Sequence, residues 1–250
     1  GNTHLYLYNF NRQQPLSADA KLERQLTSGD YEVAAVEAVD ESGAGTGTVY
    51  FQANAGDDRQ RNLYQVRLDG SGYARVSQDD GWHTTSFSSD NFHYVDSFSA
   101  LTTVPRLSVC IPQVQCVKFW EAHDLKAYNL LPPRFVDFKA GDGERLRGLL
   151  LLPPAATGGA KVPLLMNPYG GPGAQSVRNS WGAVSLFDQI MARSGIAILK
   201  VDNRGMSGRG KKFAAAVRRN FGEIELQDQL AAMQQALAQF PQLDDKRLGW

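Results

Sequence analysis

Two architectures in succession are predicted: an all-β first half, then an α/β second half built on a mostly parallel sheet. Three observations carry that expectation. Before about residue 125, short β-type segments alternate with polar, glycine-bearing turns. Beyond about residue 135, apolar strands alternate with helical patterns. Between them stands Pro132-Pro133, a naturally stiff linker, so the boundary falls near residues 125–135 and the two parts are taken as 1–130 and 131–250.

In the first part, Leu5-Tyr6-Leu7-Tyr8, Val33-Ala34-Ala35-Val36, Val49-Tyr50-Phe51, Leu63-Tyr64-Gln65-Val66 and Phe92-His93-Tyr94-Val95 read as strands. The stretches Gly43-Ala44-Gly45-Thr46-Gly47, Asp69-Gly70-Ser71-Gly72 and Gln78-Asp79-Asp80-Gly81 carry turn chemistry. A rough repeat is visible: His4-Leu5-Tyr6 returns as Asn62-Leu63-Tyr64, and the stretch from Leu26 to Tyr31 has an echo from Val76 to Trp82. Its offset is near the roughly 40–50 residues of one propeller blade, lengthened by insertions. A single β-sandwich is the alternative.

In the second part, Phe135-Val136-Asp137-Phe138 and Leu149-Leu150-Leu151-Leu152 read as strands around the turn Ala140-Gly141-Asp142-Gly143. Leu164 to Asn167 and Ile196 to Val201 are buried strands, with a helical pattern from Val184 to Arg193 between them. Leu226, Leu230, Met233 and Leu237 draw one apolar stripe on a helix that ends near Pro241, and Arg247 to Trp250 opens a further strand.

With 250 residues and 42% apolar content, the chain can bury a sizeable core. Its 26 basic and 26 acidic residues balance, with no long basic run, which argues against a nucleic-acid partner. The apolar runs fall short of the roughly 18 residues that a membrane span needs. The opening Gly1-Asn2-Thr3-His4 is neither a signal peptide nor a usual start, which suggests a processed or cut chain. Cys110 and Cys116, the two cysteines, could bond or stay as thiols, and together with four histidines they form no metal-ligand spacing.

The chemistry concentrates at Tyr169-Gly170-Gly171-Pro172-Gly173, directly after the apolar run Val162 to Met166. In hydrolases of the α/β class, the turn after the third strand builds part of the oxyanion hole. A tyrosine opening that turn can aim its hydroxyl at a developing negative charge. Val201-Asp202-Asn203-Arg204-Gly205-Met206-Ser207-Gly208-Arg209-Gly210 is a strand end followed by a glycine-studded loop. Ser207 lacks the G-x-S-x-G pattern of a nucleophile elbow and reads as a turn serine. His123-Asp124 and the histidines 4, 83 and 93 suggest no triad, and Asp57-Asp58 and Asp244-Asp245 read as solvated loops.

The Tyr169 turn and the Val201 to Gly210 loop, with Leu248-Gly249-Trp250 and Phe221-Gly222-Glu223-Ile224-Glu225-Leu226-Gln227-Asp228-Gln229, resemble the prolyl oligopeptidase family of serine peptidases, in its dipeptidyl peptidase IV branch. The likeness runs end to end and is strongest from Pro163 to Trp250. It implies the last blades of a β-propeller followed by the first part of an α/β-hydrolase domain. Tyr169 matches the family's oxyanion-hole tyrosine. Arg178, Trp181 and Arg204 are the candidates for lining the substrate pocket, with a structural turn, Arg204 paired to a carboxylate, as the alternative for the last.

The same resemblance places the nucleophile serine immediately after Trp250, with the aspartate and histidine later, so the 250 residues alone are expected to be inactive. It implies removal of X-Pro or X-Ala dipeptides from peptide N-termini, peptides as substrates, no cofactor, and acidic amino-terminus-binding residues upstream of Gly1. A homodimer fits the family's habit, and bacterial relatives are commonly periplasmic or secreted. A sister activity, oligopeptidase or acylaminoacyl peptidase, and a non-catalytic scaffold are the competing readings.

Overall fold

The computed structural model describes residues 1–11, 13–14, 20–42 and 47–250. The expected turn at 43–47 therefore lies outside the described residues except for Gly47. The chain divides into two compact units, one of Gly1–Ala100 with Pro105–Ala122 and the other of Leu101–Val104 with His123–Trp250.

The first unit is all β. A ribbon pairs β1 (Tyr6–Asn9) with β2 (Lys21–Gln25). A four-stranded antiparallel sheet follows, running in chain order through β3 (Val33–Asp40), β4 (Thr48–Ala53), β5 (Asn62–Arg67) and β6 (Ala74–Arg75). A second such sheet runs through β7 (Trp82–Phe87), β8 (Tyr94–Ala100), β9 (Thr103–Ile111) and β10 (Gln115–Glu121). The central strands β4 and β5 are buried on both faces, with Phe51, Leu63 and Val66 fully enclosed. That is why adjacent apolar residues occur in them, at Val49-Tyr50-Phe51 and Leu63-Tyr64. The unforeseen strands β2 and β10 expose every residue, so no apolar alternation marks them. β7 buries His83 and Thr85 where an apolar residue would be expected; His83 Nδ1 lies 2.9 Å from the Asp96 carboxylate.

The faint repeat has a backbone counterpart. The Leu5 carbonyl accepts from the N–H groups of Leu26 and Thr27, and the Leu63 carbonyl accepts from those of Val76 and Ser77. Likewise the Val33 N–H donates to Thr3, and the His83 N–H to Arg61. Cys110 and Cys116 face each other in the β9–β10 register and are joined in a disulfide, which decides between the two states open to them.

The second unit holds a five-stranded sheet of β11 (Arg134–Lys139), β12 (Arg145–Leu151), β13 (Val162–Met166), β14 (Ala197–Asp202) and β15 (Leu243–Gly249), in the order β11-β12-β14-β13-β15. The expected mostly parallel sheet is mixed. β13 runs parallel to β14 and β15, but β11–β12 and β12–β14 are antiparallel. The turn between β11 and β12 is too short for a crossover and forces a hairpin. Four helices accompany the sheet: α1 (Pro154–Thr157), α2 (Leu186–Arg193), α3 (Gly210–Ala214) and α4 (Glu223–Gln239).

Strand side chains alternate between two clusters. Leu146, Leu150, Leu164, Met166, Leu199 and Val201 pack with Ala232 and Ala236 of α4, whereas Leu151 and Ile198 pack with Ala192 of α2. Both faces are covered, hence the unbroken apolar runs. The inner face of α4 differs from the expected stripe: Asp228, Gln229, Ala232 and Ala236 are buried, Met233 and Leu237 are partly buried, and Leu226 and Leu230 are exposed. Two polar side chains turned inward, described below, set that rotation. Asp244-Asp245 lies in β15 and not in a loop, with Asp244 paired to Arg247 at 2.6 Å.

Candidate active site

β13 delivers the chain to Asn167, whose N–H donates to the Leu199 carbonyl at 2.9 Å and so keeps the strand end on the sheet. The Asn167 amide also donates to Asp188 Oδ1 at 2.9 Å. Asp188 is fully buried at the start of α2, where it closes a capping box with Ser185 and accepts from Lys200 Nζ at 2.6 Å. Burial alone would raise the Asp188 carboxyl, but the hydrogen bond from Lys200, the Ser185 N–H and the Lys200 charge together hold it below the ordinary carboxylate range.

The turn that follows is open to solvent. Tyr169 is 60% exposed. Gly170 has φ +78°, a conformation that favours glycine. The Tyr169 ring lies over Gly171, where a Cβ would stand 3.3 Å from it. Any larger residue there would push the ring aside.

The loop after β14 braces this turn from beneath. Asp202, buried, accepts from the N–H groups of Ser176 at 2.9 Å and Val177 at 3.1 Å. Asn203, fully buried, donates from Nδ2 to the Gly170 carbonyl at 3.1 Å and to the Arg204 carbonyl at 2.6 Å. Its Oδ1 accepts from Gln229 Nε2 at 2.9 Å. The Ser207 N–H donates to the Ala174 carbonyl at 2.9 Å.

Arg204 is committed to two carboxylates. Its backbone N–H and guanidinium both reach the buried Asp228, with Nη2 at 2.6 Å, and Nη1 meets Asp142 at 2.6 Å. The hydrogen bonds it donates to Asp228 raise its already high pKa further. Beside it Arg209 pairs with Glu144 at 2.8 Å. Asp228 and Gln229 are thus the two polar side chains that turn α4.

The other expected residues are dispersed. Arg178 is half-buried next to the fully buried Val177. Trp181 lines a cavity of about 850 Å³ within the second unit, shared with Leu101, Leu130, Pro132 and Leu186; Tyr169 does not line it. Ser207 sits in the bracing loop, and His123 is exposed. Among the described residues, no group of three or more His, Cys, Asp or Glu side chains is placed to hold a metal ion. The supporting roles of Asp202, Asp228 and Gln229 escaped the sequence reading; the signal available was a polar pair, Asp228-Gln229, interrupting an otherwise apolar helix face.

Comparison with known proteins sharpens the assignment. The family pattern described as the dipeptidyl peptidase IV N-terminal region matches residues 1–105, and that of the prolyl oligopeptidase family matches residues 183–250. The chain is similar to a probable dipeptidyl peptidase 4 of Aspergillus flavus, 28% identical over all of this chain and 32% of that protein. It is 31% identical to dipeptidyl peptidase 4 of Trichophyton rubrum, over 95% of this chain and 30% of the relative. The crystal structure of Porphyromonas gingivalis dipeptidyl peptidase 4 superposes with a TM-score of 0.85 at 25% identity, over 99% of this chain and 34% of that one. The chain therefore spans about a third of the length of the relatives it matches. Its first unit is built of β-sheets like that N-terminal region, and no helix among the described residues is long and apolar enough to cross a membrane. On both sequence and structure, the chain belongs to the prolyl oligopeptidase family of serine peptidases, in its dipeptidyl peptidase IV branch.

Proposed function

We propose that this chain is part of a serine-type exopeptidase that removes X-Pro and X-Ala dipeptides from peptide N-termini. In this reading residues 1–130 are the last blades of a β-propeller and residues 131–250 are the first part of an α/β-hydrolase domain. Two observations support it: the recurring backbone bonds of the sheets in the first unit, and the strand order of the second, in which the Tyr169 turn follows the third strand.

The observation that carries the catalytic part is an exposed tyrosine on a turn braced by the loop after the next strand of the chain. A serine, activated by a histidine that an aspartate orients, attacks the scissile carbonyl, and the carbonyl oxygen gains negative charge. The Tyr169 hydroxyl donates to that oxygen together with the N–H of the residue after the nucleophile. A neutral donor fixed in advance stabilises charge as it forms, with no reorganisation at the moment of reaction. The triad residues would be supplied by parts of the protein outside these 250 residues.

Arg178 and Trp181, further along the same loop, are the substrate-side candidates. Arg204 we assign to holding the turn, since its guanidinium is already engaged by Asp228 and Asp142.

In the full-length enzyme, Tyr169→Phe should lower kcat on a Gly-Pro chromogenic substrate by roughly 10²–10³-fold with little change in KM. An unchanged kcat removes Tyr169 from the oxyanion role. Preference for a blocked or internal substrate over a free dipeptidyl terminus would instead favour a sister activity of the family.

A further inference from the structure

We propose that Asn203, itself held by Gln229, is a positioning residue for the reaction: it fixes the Gly170 carbonyl and through it the aim of the Tyr169 hydroxyl. The inference rests on the oxyanion role given to Tyr169. Its geometry is a relay of hydrogen bonds. Gln229 Nε2 on α4 donates to the Val201 carbonyl at the end of β14 and to Asn203 Oδ1, both at 2.9 Å. Asn203 Nδ2 then donates to the carbonyls of Gly170 and Arg204.

The direction of each amide is determined by its neighbours. The Val201 carbonyl demands a donor from Gln229, which leaves Asn203 presenting its oxygen to Gln229 and its NH2 to two carbonyls. Reversing Asn203 would set its oxygen against both carbonyl oxygens. An aspartate at 203 would do the same and add a buried charge. Both amides are buried, Asn203 completely and Gln229 at 3% exposure, so breaking the relay strands polar groups away from water.

The turn needs such an anchor. Gly170 and Gly171 have no side chains to limit their backbone, and the Tyr169 ring stands at the far end of a lever rooted in that backbone. Catalytic groups must be held to within about 0.5 Å of their productive position. Of the bonds described, the one from Asn203 is made to the residue directly after Tyr169. The Asn167–Asp188 bond grips the other side, two residues before it.

The test is a double-mutant cycle in the full-length enzyme, reading kcat and KM on a Gly-Pro chromogenic substrate beside the melting temperature. Asn203→Ala should lower kcat by up to about a hundredfold with KM nearly unchanged, the size of loss that a displacement of about 1 Å produces. In a Tyr169→Phe background, where there is no hydroxyl left to aim, the same change should cost less than about twofold. Equal losses in both backgrounds, or a full kcat with Asn203→Ala, overturn the proposal while leaving the oxyanion role of Tyr169 intact. An unchanged kcat in Tyr169→Phe alone overturns both. Should Asn203→Ala not fold, Gln229→Met keeps Asn203 in place and removes its support. It should give a smaller kcat loss that likewise vanishes in the Tyr169→Phe background, and a loss that persists there counts against the relay.

Discussion

Asp188 sits with no solvent exposure against Lys200, whose side chain is 14% exposed, and the pair sits at the base of the Tyr169 turn. A carboxyl whose pKa is lowered by folding contributes stability above its unfolded value, about 3.9, and loses it as pH falls through the lower folded value. Stability should therefore decline as pH drops below about 4, and Asp188→Asn should flatten that part of the profile. At neutral pH the same substitution leaves Lys200 without its charge partner and should cost about 3–5 kcal/mol, seen in urea unfolding. The sequence shows the Tyr169 turn at once, because Gly-Gly-Pro after an apolar run is local grammar. It does not show Asp188, Asn203 or Gln229 as its supports. Those partners lie 21, 33 and 26 residues from the groups they hold, and a single sequence carries no sign of such pairings.

Helix α4 illustrates how an element can be legible in kind and wrong in orientation. Its apolar spacing announces the helix, but apolar residues alone do not fix which side faces inward. Asp228 is drawn in by Arg204 and Gln229 by Asn203 and Val201, and small alanines fill the contact with the sheet. Ala236→Leu should accordingly overpack the core and cost about 1–3 kcal/mol in chemical denaturation. At the β9–β10 hairpin the bridged cysteines should resist alkylation until a reductant is added. Replacing both by serine should lower stability by about 2 kcal/mol, the value expected for so short a closed loop. Among the strands missed in the sequence, β2 and β10 are exposed throughout and β7 has polar residues inside, so no apolar alternation marks these three.

For the whole molecule, the sequence points to a change of grammar near Pro132-Pro133, since an all-β segment and an α/β segment use different periodicities, while the compact units divide between Ala122 and His123. Which strands of the second unit run parallel is less visible, since a two-sided buried strand looks alike in either direction. The 250 residues by themselves should not hydrolyse a Gly-Pro chromogenic substrate, because the proposed chemistry draws its nucleophile from elsewhere in the protein. Inhibitor-sensitive turnover by the purified chain would contradict that expectation.

The paired backbone anchors of the first unit bear on how such a molecule diversifies. Leu5 and Leu63 close onto their partners in the same way, although the chain from Leu5 to Leu26 is eight residues longer than that from Leu63 to Val76. Chain length between the two anchors is therefore decoupled from closure of the sheet, because lengthening a connection costs little entropy. Those connections are where loop exchange between relatives, or grafting of a foreign peptide, should leave the neighbouring sheets undisturbed.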